Sequence, residues 1–384
     1  MNAATDEAVQ LLSDLVAIES VTPWLVPGGA GEGAIVAYMA SYLEHLGVGV
    51  EVDEIEPGRF NLLATVLGER GGPTLCLNAH SDTVGYDNWR SDALHPRLQG
   101  DCLYGLGAVD DKAGCAAILL ALKSLAANPP HSGAVLAAFV ADEEALSIGT
   151  QKLAQHGDID AAIVIEPVGL DKVIVAHQGF GWVDIVTQGV AAHGSAPEEG
   201  VDSIAHMAQV IVGLQALARN VFKPTTGSQC GRTVFHTGKI SGGTDYATYP
   251  SVTTLGIEIG TQPGEHLASR IAEINAIFAD ISDTDPTFRG KVAIRLEREP
   301  FVAAGHEALL KALNVASEQV RGVVPTQVGF NGWADPALLQ SAGIPTVLIG
   351  PAGGNIHAPR EWASIPELMQ FSAILETTTR TFLA

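Results

Sequence analysis

The chain has 384 residues, is 47% hydrophobic, and carries a formal charge of −22 from 43 acidic and 21 basic side chains. That length and hydrophobicity exclude a disordered chain and predict two domains, and the negative charge argues against nucleic acid or an anionic membrane as a partner. No apolar run approaches the roughly 20 residues that span a bilayer, and the acidic, helix-patterned start MNAATDEAVQLL is unlike a signal peptide. The sequence therefore predicts a soluble cytoplasmic protein, and its four cysteines, which form no CxxC pair, predict reduced thiols.

Helix and strand patterns alternate in the first third of the chain. Apolar residues at helical spacing follow the capping candidate Thr5, and a second apolar helix face stops at Gly47. Strands are predicted at 48–52, 61–67, 74–79, 134–140 and 161–165, with a helix at about 112–127. Short, continuously apolar strands separated by helices indicate an α/β domain whose sheet is covered on both faces.

The pattern changes from about His177. The alternating stretch GWVDIVTQGV is followed by a helix, two strands, a helix and a last strand near 292–296, which predicts a smaller α+β unit with an antiparallel sheet. After Pro300 the α/β pattern returns. The sequence therefore predicts one α/β domain formed by residues 1–176 and 294–384, interrupted by an inserted domain at 177–293.

Histidine and acidic side chains follow the predicted strands of the α/β domain. In TLCLNAHSDTVG, His80 and Asp82 end a strand and, two residues apart, point to the same side of it. Further candidates follow other strands or flank the Gly-rich loops, namely Asp110, Asp111, Asp142, Glu143, Glu144, Glu166 and His357. Because ligands bind at the carboxyl ends of the strands in open α/β sheets, we expect these side chains to meet in one crevice.

So many carboxylates in one crevice require cations, since their mutual repulsion and desolvation are costly. The candidates offer nitrogen and oxygen donors without thiolates, which suits Zn²⁺, Mn²⁺ or Co²⁺ and argues against a structural zinc finger. Two ions that share a carboxylate would use two histidines and three acids, and would leave one Glu as a base. The alternative, ordinary helix-capping acids, accounts for Asp142 or Asp111 but not for both histidines.

The motifs HSDTV, LYGLGAVDDKAG, ADEEALSIGT, EP and GPAGGNIHAPREW, in this order, resemble the zinc-dependent deacylases and exopeptidases of the M20 metallopeptidase family. The resemblance covers nearly the whole chain, including GVAAHGSAPEEGVDSI and TGKISGGTDYATYP in the inserted domain. Members of the family include acetylornithine deacetylase and succinyl-diaminopimelate desuccinylase. The resemblance implies a metallo-exopeptidase-like catalytic domain with a mainly parallel sheet, an inserted dimerisation or lid domain, and a homodimer formed through residues 177–293.

The resemblance also implies a role for each metal ligand. Asp110 would bridge two divalent ions, most simply Zn²⁺, with Co²⁺ or Mn²⁺ as alternatives. His80 and Glu166 would complete one site, and Glu144 and His357 the other.

Three further residues would act in catalysis. Asp82 would hold the imidazole of His80 by a hydrogen bond. Glu143 would be the general base that takes a proton from a metal-bridging water. His193, in the inserted domain, would reach the active site of the other subunit and stabilise the oxyanion, unless it is an ordinary surface histidine. In the family the peptide bond after the bridging Asp is cis, and the usual apolar residue that follows is replaced here by Asp111.

The chain departs from its relatives at the positions that hold a substrate carboxylate. Where many members have basic residues or Asn, this sequence has Leu106, Gln178, Ala247, Gly260 and Ala337. Aromatic residues are frequent nearby in sequence, and we take Tyr246, Trp333 and Arg232 as candidate substrate-binding residues. Because Arg is the usual bidentate partner of a carboxylate, its loss predicts a neutral or apolar substrate.

The sequence thus predicts a dinuclear metal-dependent hydrolase that cleaves an amide bond of a small N-acylated amino acid or related N-acyl compound. An exopeptidase, a dipeptidase or a carbamoyl-amide hydrolase on the same fold is the alternative, since fold and metal site do not determine the substrate. A catalytically inactive binding protein is a third reading, and the intact set of His80, His357 and Glu143 argues against it.

Overall fold

The structure, a computed structural model, describes residues 3–89, 92–222 and 229–384. The chain forms two compact units. The first unit consists of Met1–Val175, Ala303–Gln327 and Ala334–Ala384, and the second of Ala176–Val302 and Val328–Trp333.

The longer described helices and strands follow the order that the sequence predicts, whereas several short ones were not predicted. In chain order, the helices are α1 (Ala3–Ala17), α2 (Gly33–His45), α3 (Lys112–Ala127), α4 (Ile148–Leu153), α5 (Ser203–Asn220), α6 (Leu267–Thr284), α7 (Glu307–Arg321), α8 (Pro336–Ser341) and α9 (Ile365–Phe382). The strands are β1 (Gly49–Glu56), β2 (Arg59–Leu67), β3 (Thr74–His80), β4 (Arg97–Gln99), β5 (Cys102–Tyr104), β6 (Ala134–Val140), β7 (Ala161–Val164), β8 (Lys172–His177), β9 (Gly179–Gln188), β10 (Phe235–Gly242), β11 (Val252–Thr261), β12 (Gly290–Arg298), β13 (Phe301–Val302), β14 (Thr326–Phe330), β15 (Thr346–Leu348), β16 (Gly353–Gly354) and β17 (Trp362–Ser364).

The sheet of the first unit has a parallel centre. Strands β6, β3, β7 and β15 are parallel neighbours, whereas β1 and β2 add antiparallel strands at one side. The residues of β3, β6 and β7 are almost all buried, as expected for a sheet covered on both faces, and α1, α3, α7 and α9 pack together around the main core. The α/β fold with a mainly parallel sheet is confirmed. Because the central strands are parallel, their carboxyl ends lie at one edge.

The second unit is an α+β unit of antiparallel strands. Its four-stranded sheet has the order β10-β11-β9-β12, and α5 and α6 pack against the sheet. Val183, Ile185, Met207, Leu255 and Ile274 are among the residues of its own apolar core.

Two details differ from the sequence prediction. The boundary predicted after residue 293 falls inside β12, which pairs with β9 from Gly290 to Arg298, and the compact unit continues to Val302. The helix α1 already includes Ala3, so Thr5 lies inside the helix and is not its N-cap. Among the described residues, no helix has both the length and the apolar character needed to cross a membrane.

Candidate metal centre

Two groups of side chains with the donor types of metal ligands meet at the carboxyl edge of the parallel strands. His80, Asp110 and Glu166 form one group, and Asp110, Glu144 and His357 form the other; within each group the donor atoms lie within 4.8 Å of one another. Asp110 belongs to both. Its Oδ1 lies 3.0 Å from His80 Nε2, and its Oδ2 lies 3.3 Å from His357 Nε2.

The parallel sheet accounts for this convergence. His80 is the last residue of β3, Glu144 follows the end of β6, and Glu166 follows the end of β7. Asp110 comes from the loop that leads into α3. His357 lies in the loop between β16 and β17 with a φ of +57°, a left-handed conformation that is uncommon for a residue other than glycine. The five residues that the sequence predicted as ligands therefore lie together.

The donor set fits divalent cations. Burial raises the pKa values of Glu143, Glu144 and Glu166, and neighbouring carboxylates raise them further. Burial lowers the pKa of His80, but Asp110 and Asp82 outweigh burial and raise it well above its ordinary value. The raised pKa values mean that these crowded acids and His80 favour their protonated forms, because the centre lacks positive charge. A bound cation would supply that positive charge. Nitrogen and oxygen donors without a thiolate suit Zn²⁺, Co²⁺ or Mn²⁺.

Asp82 contacts its neighbours in a way that the sequence did not predict. The Nδ1 atom of His80 lies 3.1 Å from the backbone carbonyl oxygen of Asp82 and 3.5 Å from its carboxylate. The buried carboxylate also accepts hydrogen bonds from the backbone N–H groups of Glu143 and Glu144, at 3.1 and 3.3 Å. The imidazole of His80 therefore faces both the carbonyl oxygen and the carboxylate of Asp82, and the same carboxylate binds the turn that carries the two glutamates.

A buried ion network supports the same turn from the other side. Asp142 has a φ of +66°, and its Oδ1 accepts hydrogen bonds from Arg59 at 2.8 Å and from Thr22 at 2.6 Å. Arg59 also binds both oxygens of Glu32, at 2.9 and 2.5 Å. The turn at Glu143 is thus held by buried contacts on both sides.

The Asp110–Asp111 peptide bond is cis, as the resemblance implied. Asp111 is buried and caps α3, because its Oδ1 accepts the N–H of Gly114 at 3.2 Å. Burial raises the pKa of Asp111 well above its ordinary value. The capping role that the sequence allowed for Asp111 is confirmed, and Asp111 is absent from both donor groups.

His193, the catalytic candidate of the second unit, lies on an exposed loop. It forms an isolated bridge with Thr248, and its Nδ1 lies 2.8 Å from Ser195 Oγ. The loop is anchored to its neighbour, because the N–H of Gly194 donates to the carbonyl oxygen of Ala247 at 2.7 Å.

The substrate-binding candidates differ in how their side chains are used. Tyr246 is fully exposed. Trp333 donates its indole N–H to the carbonyl oxygen of Glu299 at 3.2 Å. Arg232 is exposed, and its guanidinium donates to the carbonyl oxygen of Ala218 at 2.9 Å. Two of the three candidates thus already have partners inside the second unit.

Sequence reasoning missed three residues that contact the site or its supports. Arg59 lies at the start of an ordinary strand, and nothing in its neighbourhood of the sequence indicates its partners. Glu361, in APREW, accepts hydrogen bonds from the loop before α3. Asp335 is buried, and burial raises its pKa to about 6. The signal that was available for Glu361 was its place four residues after His357.

An α/β unit with N- and O-donor groups at its strand ends, and a smaller α+β unit in the same chain, are the arrangement that the resemblance to a metal-dependent hydrolase implied. Residues 76–381 match the profile of peptidase family M20/M25/M40. Since this is most of the chain, the chain belongs to that family.

Individual relatives agree with this assignment. The chain is 28% identical, over 407 aligned positions, to N-formyl-4-amino-5-aminomethyl-2-methylpyrimidine deformylase of Bacillus subtilis (strain 168), with 96% of this chain and 93% of the relative covered. It is 34% identical over 224 positions to acetylornithine deacetylase of Proteus mirabilis (strain HI4320), with 56% and 57% covered. Its fold is similar to that of a tripeptidase from Staphylococcus aureus, with a TM-score of 0.82 at 22% identity and 99% and 98% coverage. The chain is a metal-dependent hydrolase that acts on amide bonds.

Proposed function

We propose that this hydrolase uses two divalent metal ions to remove the acyl group from a small, neutral or aromatic N-acyl compound. The observation that carries the two-ion proposal is the position of Asp110, whose two oxygens face the imidazoles of His80 and His357 at 3.0 and 3.3 Å. A carboxylate with one ligand set on each side suits a pair of ions better than a single ion.

His80 and Glu166 would hold one ion, Glu144 and His357 the other, and Asp110 both. Zn²⁺ is the first candidate, and Co²⁺ or Mn²⁺ suits the same donors. When bound, the ions polarise the scissile carbonyl and lower the pKa of a water molecule. Glu143 belongs to neither donor group. It accepts the proton of the attacking water and passes it to the leaving nitrogen.

The proposed substrate has no carboxylate that must be held. Gln178 occupies the position of a family basic residue, and it is buried and bound to the main chain. The name of the Bacillus subtilis relative contains an N-formyl group and an aminomethylpyrimidine and no acid group. Both observations support a neutral, aromatic N-acyl amine, with an N-formyl aminomethylpyrimidine as the first compound to test.

We further propose a cytoplasmic homodimer formed through the second unit, with His193 acting on the oxyanion in the active site of the other subunit. Among the described residues, β10 and β12 each pair with one neighbouring strand and thus leave an edge open for pairing. The four cysteines are free thiols, which supports a reducing compartment.

The test is a metal titration combined with a substrate panel. Metal-free protein is titrated with Zn²⁺, Co²⁺ and Mn²⁺, and hydrolysis is measured on an N-formyl aminomethylpyrimidine, acetylornithine, succinyl-diaminopimelate, a dipeptide and an N-carbamoyl amino acid. We expect activity to saturate at two ions per chain and to be highest on the N-formyl compound. Absence of metal-dependent hydrolysis on every compound would refute the proposal, and highest activity on the dipeptide would favour an exopeptidase instead.

A further inference from the structure

The loop that carries Asp110 is bound by a carboxylate from a distant part of the chain. Glu361 Oε1 accepts the N–H groups of Val109 and Asp110 at 3.0 and 3.2 Å, and its Oε2 accepts the N–H of Gly107 at 3.0 Å. The side chain is 1% exposed. All three donors are main-chain groups of the segment that ends at the shared carboxylate.

The main chain around Glu361 joins the same two segments. Its carbonyl oxygen accepts the N–H of Gly105 at 3.0 Å, and the following residue, Trp362, pairs with Tyr104 between β17 and β5. Glu361 also donates its own N–H to Ala358, the residue after His357, at 3.2 Å. One residue thus connects the loop of Asp110 to the loop of His357.

Burying a carboxylate at this position costs free energy, and an apolar contact would not have that cost. A carboxylate buried near Asp110 and the other acids of the centre loses hydration and is repelled, so it is stable only if its oxygens are fully hydrogen-bonded. Three N–H donors meet that need, and in return they hold the main chain of 107–110 in one position. An apolar residue could fill the same space but could not bind these N–H groups.

We propose that Glu361 is a positioning residue of the metal centre. It holds the Gly107–Asp110 main chain so that the two oxygens of Asp110 face the two donor groups. The proposal rests on the two-metal function, and it assigns to Glu361 an effect on metal affinity without contact with a metal ion.

The sharpest variant is Glu361→Gln, which keeps the shape of the side chain. Its remaining oxygen can still accept from Val109 and Asp110, but its NH₂ group then faces the N–H of Gly107, and two donors cannot bind each other. The matched control is Glu367→Gln. Glu367 Oε2 also accepts two main-chain N–H groups, from Leu170 at 3.3 Å and Ala352 at 2.8 Å. Neither belongs to a candidate ligand.

Zn²⁺ and Co²⁺ affinities of the metal-free proteins are measured by competition with a chelator, and the thermal stability of the metal-free forms is measured in parallel. Loss of outer contacts to metal ligands typically weakens binding about 10–100-fold, and we expect a loss of this size for Glu361→Gln. Glu367→Gln should bind the ions like the unaltered protein. Amide hydrogen exchange at Gly107, which loses its acceptor, should become faster only in the Glu361 variant.

Unchanged affinity in Glu361→Gln would overturn the proposal, and so would an equal loss in both variants, which would indicate general destabilisation. If Glu361→Gln does not fold without metal, Glu361→Asp is measured instead. Its shorter side chain cannot reach all three N–H groups, so wild-type affinity in that variant would also overturn the proposal. Failure of the unaltered protein to bind divalent ions would refute the proposed function itself, and the two failures are therefore distinguishable.

Discussion

At the scale of single residues, adjacent acids in this chain have different surroundings and therefore different chemistry. Asp142 binds Arg59, Glu144 lies 3.0 Å from His357, and Glu143, between them, belongs to neither donor group. The sequence alone predicted which acids gather at the strand ends, because buried parallel strands bring their ends together. It did not predict the carbonyl contact of Asp82, because a difference of a few tenths of an ångström in a folded loop leaves no pattern in the sequence.

The pair Glu143 and Glu144 tests the division between base and ligand. Glu143→Ala should lower turnover by about 10²–10⁴-fold, the usual contribution of a general base, while metal content stays normal. Glu144→Ala, the same change one residue later, should lose metal as well, as should His80→Ala or His357→Ala. Metal content is measured by elemental analysis and turnover by steady-state kinetics. A Glu143 variant with nearly normal turnover would contradict the assignment.

The ion network at Arg59 gives a prediction about stability. Arg59→Met leaves the buried carboxylates of Glu32 and Asp142 without their cation, and breaking a buried pair in this way costs about 3–5 kcal/mol. The free energy of unfolding is measured by denaturant titration. Arg321→Met is the control, because Arg321 is also mostly buried but its carboxylate partner, Asp171, does not belong to this network. The double variant Arg59→Met with Glu32→Gln should recover part of the loss, and absence of any recovery would count against the network.

At the scale of helices and strands, local sequence patterns predicted the elements well, but they did not predict which distant segments contact each other. The strands at 74–79, 134–140 and 161–165 were predictable because each is a short apolar run between helices. The failure at Thr5 has a local cause, since a polar residue near a helix start is a cap only if the helix begins immediately after it. Glu361 and Asp110 are 251 residues apart, and no periodicity of either segment indicates that they meet.

The end of α6 provides a prediction with a pH dependence. The carboxylate of Asp285 accepts hydrogen bonds from Thr287 and His206, and the contacts with Thr287 above all lower its pKa below the ordinary value of 3.8. Because the folded pKa is the lower one, the carboxylate stabilises the fold above pH 3.8, and this contribution is lost as the pH falls through the folded pKa. Asp285→Asn should therefore lower the melting temperature at pH 7, by the equivalent of about 1 kcal/mol for weakened hydrogen bonds.

The difference between the two proteins should shrink as the pH falls below 3.8. Thermal melts from pH 7 to pH 3 measure it, and Asp283→Asn, at an exposed position of the same helix, is the control. A difference that does not change with pH would mean that the charge of Asp285 is not what stabilises this end of the helix.

At the scale of the whole molecule, the homodimer proposal predicts complementation between inactive subunits. If His193 serves the active site of the other subunit, mixing His193→Ala subunits with Glu143→Ala subunits under exchange conditions should restore part of the normal activity. In such a heterodimer one active site has both an intact Glu143 and an intact His193. Heterodimers are verified by a tag on one partner. If heterodimers form and activity stays absent, His193 acts within its own subunit or has no catalytic role.

The last prediction concerns the substrate and is based on the missing basic residues and on the nearby aromatic residues. The structure of the second unit supports the first of these two arguments and weakens the second. Gln178 donates to the carbonyl oxygens of Cys230 and Arg232 and accepts the N–H of Val234. A Cβ atom at Gly260 would lie 2.7 Å from Gln178 Oε1, so a side chain at position 260 would require Gln178 to leave its main-chain partners. The family position of a carboxylate-binding arginine thus lies beside a hydrogen-bonded glutamine here.

The proposed aromatic lining has less support. Trp182 binds Glu258, and the ring of Trp333 packs edge-on against Phe180 with centroids 5.8 Å apart. These rings serve packing within the second unit, which leaves Tyr246 as the exposed aromatic candidate. The predicted preference for a neutral substrate therefore depends on the missing carboxylate-binding basic residues and not on aromatic side chains that line the site.

We expect poor activity on acetylornithine and succinyl-diaminopimelate and better activity on neutral or aromatic N-acyl compounds. The measurement is kcat/KM on matched pairs that differ only in a free or an amidated carboxylate. A preference of tenfold or more for the free acid, about 1.4 kcal/mol in transition-state binding, would contradict the prediction. Arg232→Ala then identifies the cause: loss of the preference in that variant would mean that the guanidinium leaves the carbonyl oxygen of Ala218 and binds the substrate, whereas an unchanged preference would point to a donor outside the second unit's candidates.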